Sequence, residues 1–447
     1  MPPASSKDTS QPAVTAVVES LDHEGRGVAH VDGKAVFIEG ALPREKVRYI
    51  PARKKNSYEI GRLEEILKQS TDRVNPRCKF FGLCGGCAMQ HADMALQIAA
   101  KQRVLEDNLA RIGKVSPEQI LPPIGGAPWG YRQRARLSVH FVVKKGGVLV
   151  GFREKKSRFV ADMTSCEVLA PKVGYLIAPL RELMTSLNGF GSIPQIEVAI
   201  GASVTVLVLR ILQPLAVDDE PKLRAFADAH AIQWWLQTKG PETAAPWYPL
   251  DAHALTYLLP EFDLELNFRP TEFTQVNHGV NRLMVKRAVD LLEVQPGDEI
   301  ADLFCGLGNF SLAIARRGAR VIGVEGSQSL VQRAIDNATR NGLAASSHFF
   351  AADLYADPAG AMQRLTQEYP KVSKMLIDPP RDGAIEVCKL IDENIVKRLV
   401  YVSCSPATLA RDAALLVNVK GYRLKAAGVV NMFPHTAHVE SMALFER

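Results

Sequence analysis

Residues 299–310 read EIADLFCGLGNF. The run Glu299–Gly306 has the apolar, β-rich texture of a buried strand, and Asn309–Gly318, NFSLAIARRG, continues at helical spacing. Gly306 and Gly308 lie at the turn between them, where missing side chains let backbone approach a ligand closely. The same alternation then repeats. ARVIGVEG leads into SLVQRAIDNATRNG, SHFFAADL into a helix through Gln363, KMLIDPP into AIEVCKLIDEN, and RLVYVSCSP into ATLARDAALLVN. Five consecutive strand–helix units require a mainly parallel sheet with helices on both faces. Two further strands, YRLKAAGVV and HVESMALFER, have no helix between them and are expected as an antiparallel pair at one side.

Only two of the three glycines of a G-x-G-x-x-G dinucleotide turn are present, and no lysine follows as in a P-loop. Glu325 ends the second strand and is placed to bind ribose hydroxyls; Asp353 ends the third and is placed for an adenine amino group. The missing third glycine argues against NAD. The pattern D-x-F-x-G-x-G followed by an acid resembles the S-adenosylmethionine-dependent methyltransferases, a Rossmann-like α/β fold that ends on an antiparallel strand.

Ligands of open α/β sheets lie beyond the C-terminal strand ends. There the chain places Asp378-Pro379-Pro380-Arg381, Ser403-Cys404-Ser405-Pro406 and, before the last strand, His438-Val439-Glu440. D-P-P also occurs in enzymes that methylate exocyclic amines, but those carry an aromatic residue where Arg381 stands. Cys404 adds a nucleophile that amine methylation does not need. The C5 carbon of uracil is inert until a thiolate adds at C6, and a base must later remove the C5 proton. Glu440 is a carboxylate suited to that step.

The motifs D-L-F-C-G-L-G-N-F, D-P-P-R-D-G, V-S-C-S-P-A-T-L-A-R-D and H-V-E-S-M resemble those of the RNA uracil-5 methyltransferase family. The resemblance implies Cys404 as nucleophile and Glu440 as general base. It implies Phe273, Gln275 and Asn277 of F-x-Q-V-N at the cofactor and base site. It further implies cofactor contacts from Gln275, Phe304, Asn309, Glu325, Asp353 and Asp378. No second cysteine stands on the fourth strand, as it does in RNA cytosine-5 methyltransferases, so uracil is the expected base. Cys305 and Cys388 lie in apolar surroundings and are expected in the core.

Cys78, Cys84 and Cys87 form C-x5-C-x2-C among glycines, a spacing that implies a metal, and Cys166 is the available fourth thiol. Spacing leaves zinc and an iron–sulfur cluster open. The resemblance points to a [4Fe–4S] cluster, because part of the family carries one on three such cysteines and a distant fourth.

Upstream, residues 14–68 hold five short β-rich runs, and Asp32-Gly33 is a two-residue hairpin signal. A small OB-like barrel is expected, similar to the RNA-binding TRAM domain. The whole is therefore expected as three domains: a TRAM barrel over 10–68, a central α+β domain with the cluster over 71–265, and a methyltransferase domain over 266–447. A helix over 92–112 is expected to pack on the last of these. A chain with both TRAM domain and cluster resembles the members of the family that act on 23S ribosomal RNA.

Composition agrees with this. The 447 residues are 47% hydrophobic and 23% charged, which excludes a disordered, collagen-like or coiled-coil chain. Net charge is only +6, but residues 71–170 carry 16 basic and 8 acidic side chains. That block fits a phosphate-facing surface. Arg132, Arg134 and Arg136 alternate within it on an expected strand, a stripe suited to phosphates and bases. The target uracil must leave any stack to reach Cys404, with Phe273 expected to stack on it. No apolar run is long enough for a membrane span, and the first residues, MPPASSKDTSQPA, read as a tail without a signal-peptide core. A cytoplasmic monomer without an obligate protein partner is expected. The competing readings are a tRNA uracil or ribosomal cytosine methyltransferase, and a non-catalytic RNA-binding protein with a redox-sensing cluster.

Overall fold

The computed structural model describes residues 12–251 and 253–447, so most of the N-terminal tail lies outside the described residues. The chain forms two compact units. One comprises the described part of Met1–Phe81 with Cys87–Val104 and His435–His438; the other comprises Gly82–Gly86, Leu105–Pro434 and Val439–Arg447.

The first unit is built on a six-stranded sheet ordered Val14–Val17, Lys46–Lys54, Tyr58–Lys68, Lys34–Glu39, Gly27–Val31, Ser20–Leu21. The hairpin at Asp32-Gly33 is there, with both residues at positive φ, 50° and 77°, as a two-residue turn matched to strand twist requires. Alternate side chains of these strands, among them Val36, Ile38, Val47 and Tyr49, close a single apolar core with Val18. Gly61 lets the Tyr49 ring cross its strand: a Cβ there would sit 2.4 Å from the ring.

In the second unit, a six-stranded sheet runs Ala245–Tyr248, Gln233–Gln237, Thr205–Arg210, Gln195–Ile200, Arg134–Val142, Gly147–Gly151, antiparallel except between Thr205–Arg210 and Gln233–Gln237. The large sheet is ordered Ser347–Ala351, Arg320–Glu325, Glu299–Leu303, Val372–Ile377, Arg398–Ser403, Glu440–Glu446, Arg423–Val430, Gln119–Ile120. Its first five strands are parallel, and their near-continuous apolar sequences follow from burial on both faces. The last strand inserts antiparallel between Arg398–Ser403 and Arg423–Val430. This reversal brings the start of the last strand to the edge where the parallel strands end. Strand Gln119–Ile120, from the central region, extends the sheet beyond the expected terminal pair. The expected helix over 92–112 is an α-helix at Met94–Asn108 continued by a wider turn at Leu109–Gly113. That turn packs so closely on helix Pro406–Asn418 that a Cβ on Gly113 would lie 2.7 Å from the Ala410 carbonyl oxygen.

Candidate active site

The first βα turn is shaped by its backbone. Gly306 and Gly308 sit at φ 56° and 94°, and Phe304, a side-chain-bearing residue, at φ 63°. Such strain collects at functional sites. A Cβ on Gly306 would meet nothing within 4 Å, so open space lies over the turn. Glu325 reaches back to it. One carboxylate oxygen accepts from the Gly306 amide at 3.1 Å and the other from the Ser327 amide at 2.9 Å, leaving lone pairs on both for hydroxyl donors. Asp353 Oδ1 accepts from the Tyr355 and Ala356 amides, both at 2.9 Å, and these bonds hold its carboxyl below the usual range. The Phe304 and Tyr355 rings meet at 5.6 Å. Phe304, Glu325 and Asp353 thus lie around an open turn flanked by acceptors, a setting whose chemistry fits S-adenosylmethionine.

Two supporting residues, Asn281 and Tyr257, carried no sequence signal. Asn309 exchanges amide hydrogen bonds with Asn281 at 2.9 and 3.0 Å, and its Oδ1 also accepts from the Tyr257 hydroxyl at 3.0 Å. One Nδ2 hydrogen of Asn309 remains for a ligand. Asp302, fully buried, accepts from Ser311, and burial pushes its carboxyl up to about 7.

The expected reacting groups come from the same sheet edge. Ser403 pairs with Ser441 across the two central strands, so the next residues, Cys404 and Glu440, face each other just past that pair. Asp378 follows the end of the neighbouring parallel strand. Glu440 is 4% exposed. Burial and the Asp378 charge raise its carboxyl to about 8, against the Arg381 guanidinium. Burial raises Asp378 to about 7. Cys404 is half-buried; burial first, then Glu440 and Asp378, raise its thiol to about 11, again opposed by Arg381. Cys305 and Cys388 are buried, and burial pushes both thiols up, as expected of core residues.

The loop before helix His278–Leu292 holds F-x-Q-V-N. Asn277 caps that helix, accepting from the Val280 amide, and donates to the Met432 carbonyl. Gln275 is half-buried and Phe273 is 71% exposed. The arginine stripe is not three equivalent cations. Arg132 precedes the strand and donates to the Arg134 carbonyl. Arg136 is exposed and paired with Glu197 at 2.9 Å. Arg134 instead turns inward and donates to the Glu272 and Pro270 carbonyls and the Thr274 hydroxyl. It braces the loop carrying Phe273 and Gln275, and its donors are not presented to phosphates.

None of the seven cysteines is in a disulfide. In the first unit the Cys78 amide donates to Gln90; in the second, the Gly86 amide donates to Cys84 Sγ at 3.4 Å and the Cys166 amide to the Gly174 carbonyl. Among the described residues, no group of three or more His, Cys, Asp or Glu side chains is gathered as metal ligands. No helix among them is long and apolar enough to cross a membrane.

Residues 259–447 match the model of the tRNA (Uracil-5-)-methyltransferase family, and residues 13–48 match the TRAM domain. The 23S rRNA (uracil(1939)-C(5))-methyltransferase RlmD of Nitrosospira multiformis is 59% identical over 433 residues, covering 96% of this chain and 98% of that protein. This chain belongs to the RlmD family. The RlmD of Thiobacillus denitrificans is also 59% identical, over 96% of this chain and 98% of its own length. The fold matches a tRNA (uracil-54, C5)-methyltransferase of Pyrococcus abyssi, solved with S-adenosyl-L-homocysteine, at a TM-score of 0.73 and 21% identity, covering 96% of this chain and 99% of that one. RlmD relatives thus match across nearly the whole chain, TRAM segment included.

Proposed function

We infer that this protein transfers a methyl group from S-adenosylmethionine to C5 of a uridine in 23S ribosomal RNA. The full-length identity to RlmD proteins, whose name specifies uracil 1939, carries the RNA class. It favours 23S RNA over the tRNA in the family model's description. The pairing of Cys404 with Glu440 beside the cofactor turn carries the chemistry and disfavours a mere binding module. Labelled methyl should pass from S-adenosylmethionine to 23S RNA taken from a strain lacking the enzyme, yielding 5-methyluridine. Incorporation into tRNA alone would overturn the assignment.

Cys404 Sγ forms a bond to C6 and turns the ring into an enolate. S-adenosylmethionine supplies the electrophilic methyl group that C5 then takes. Glu440 accepts the C5 proton, the C6–S bond breaks, and the thiolate leaves. The thiol is strongly held at rest, so its proton passes to the neighbouring Asp378 carboxylate as C6 is attacked, which leaves Glu440 for the C5 proton. Glu325 and Asp353 hold ribose and adenine, while Gln275, Phe304, Asn309 and Asp378 complete the cofactor and base site. Phe273 stacks on the uracil or a neighbouring base, and Arg132 and Arg136 face phosphate.

Cys78, Cys84, Cys87 and Cys166 are proposed to hold a [4Fe–4S] cluster. Their support is the thiol donor set, the absence of disulfides and a glycine turn whose amide already donates to Cys84 sulfur. Iron and sulfide in anaerobically purified protein test it; a colourless protein with stoichiometric zinc would reverse it. The three domain ranges, a monomeric state without obligate partner, and a cytoplasmic location complete the proposal.

A further inference from the structure

The loop Arg381–Ala384, which follows the D-P-P segment, is fastened at every residue by a different side chain. Thr408 donates its hydroxyl to the Arg381 carbonyl at 3.1 Å, and the same hydroxyl lies 3.1 Å from the Ser405 carbonyl beside the nucleophile. Arg411 donates to the Asp382 carbonyl at 2.8 Å. Tyr355 donates to the Gly383 carbonyl at 2.9 Å. Asp412 accepts the Ala384 amide at 2.7 Å. Asp412 is fully buried and also accepts from the Tyr401 hydroxyl at 2.7 Å and from Arg411 at 2.8 Å. Thr408, Arg411 and Asp412 are spaced i, i+3, i+4, on one face of helix Pro406–Asn418, whose first turn follows Cys404. Gly383 makes the approach possible. It sits at φ 76°, and a Cβ would lie 2.7 Å from Arg411 Nη2 and 2.8 Å from Asp412 Oδ2.

Arg381 is the one residue of this loop whose charge acts on the reacting pair. Cys404 is influenced by Glu440 from the last strand, Asp378 from the fourth, and Arg381 from the loop; Tyr355 lies close enough for its phenol to sense the thiol. Tyr355 also meets Phe304 of the cofactor turn, so the clasp touches both halves of the site. Four side chains on four consecutive backbone groups exceed what a surface loop needs to stay folded.

We propose that Thr408, Arg411, Asp412 and Tyr355 are positioning residues that clamp the 381–384 backbone and so hold the Arg381 guanidinium against the Cys404–Glu440 pair. The nucleophile's own helix thereby sets the place of the cation that steadies its thiolate. This rests on Cys404 being the nucleophile.

The test measures formation of the covalent complex with RNA containing 5-fluorouridine, across pH 6–10, in the full-length protein. The variants are Asp412→Asn, Gly383→Ala, Thr408→Val and Tyr355→Phe. Asp412→Asn and Gly383→Ala should slow adduct formation about tenfold at pH 7.5, since misplacement by a fraction of an ångström is enough. They should lower the rate by a similar factor throughout pH 6–10, a range below the native thiol's midpoint near 11, because the withdrawn cation leaves less thiolate at each pH. The KM for S-adenosylmethionine should change less than about threefold, because the ribose and adenine contacts are untouched. Should those two fail to fold, the single-hydroxyl deletions Thr408→Val and Tyr355→Phe carry the test with smaller losses of rate over the same range. Folded variants with native adduct rates throughout that range would overturn the clasp. Absence of adduct in the native protein would instead overturn Cys404 as nucleophile.

Discussion

Replacing Glu440 by glutamine should separate the two chemical steps. In the native protein the Cys404 thiol is pushed up to about 11, so at pH 7.5 roughly three thiols in ten thousand are ionised, a cost of about 5 kcal/mol. Burial is the larger cause and the Glu440 charge the next. Glu440 itself is raised to about 8, so it carries charge mainly above that pH. Glutamine keeps the volume and removes the charge. Below pH 7 the variant should therefore attack 5-fluorouridine RNA as fast as the native protein. At pH 9 it should attack up to about tenfold faster, because one like charge beside the thiolate is gone. Turnover on ordinary RNA should fall at least about 100-fold, because no base removes the C5 proton. Methylated adduct should accumulate in its place. The assay is gel retardation of the covalent complex against pH, beside transfer of labelled methyl. Turnover within tenfold of native, or slower adduct formation at pH 9, would refute the assignment of Glu440.

Stability should carry the same signature. A carboxyl raised on folding binds protons more tightly folded than unfolded, so its burial costs more as pH rises from about 4 towards 8. The stability of Glu440→Gln relative to native should thus increase between pH 5 and pH 8 in urea titrations, and a constant difference would contradict the burial argument. Arg134→Ala should release the 270–274 loop and lower both urea resistance and activity, by about 2–3 kcal/mol in stability. Arg136→Ala should leave stability nearly unchanged and reduce the salt slope of RNA binding by about 1; equal behaviour of the two variants would show that the stripe is not divided. Glu325→Ala should raise the KM for S-adenosylmethionine about tenfold or more through lost ribose contacts; an unchanged KM would remove Glu325 from the cofactor site.

The α/β domain was readable in the sequence because buried parallel strands leave apolar runs and each is followed by a helical period, as in EIADLFCG and NFSLAIARRG. The hairpin at Asp32-Gly33 was readable because that turn needs positive φ at both residues. Strand Gln119–Ile120 was not, since two exposed residues acquire strand geometry only from the partner they pair with. The arginine stripe was legible as a period of two. Which member turned inward was not, because that depends on carbonyls 136 and 138 residues away. Asn281 and Tyr257 carry no chemical signature of their own; Thr408, Arg411 and Asp412 stand in the V-S-C-S-P-A-T-L-A-R-D motif, but the backbone groups they hold are set by the fold. The cysteine spacing reads as a metal motif, but among the described residues no such ligand group is gathered, and a set drawn from Cys78 to Cys166 is a matter of tertiary placement.

The central claim is that catalysis runs through a covalent bond from Cys404 to the uracil ring. Native protein incubated with S-adenosylmethionine and 23S RNA fragments containing 5-fluorouridine, then digested and analysed by mass spectrometry, tests it most directly. Fluorine at C5 cannot leave as a proton, so the methylated nucleotide should remain bonded to the peptide containing Cys404, and Cys404→Ala should yield none. A native protein without adduct, or an undiminished adduct in Cys404→Ala, would contradict the account.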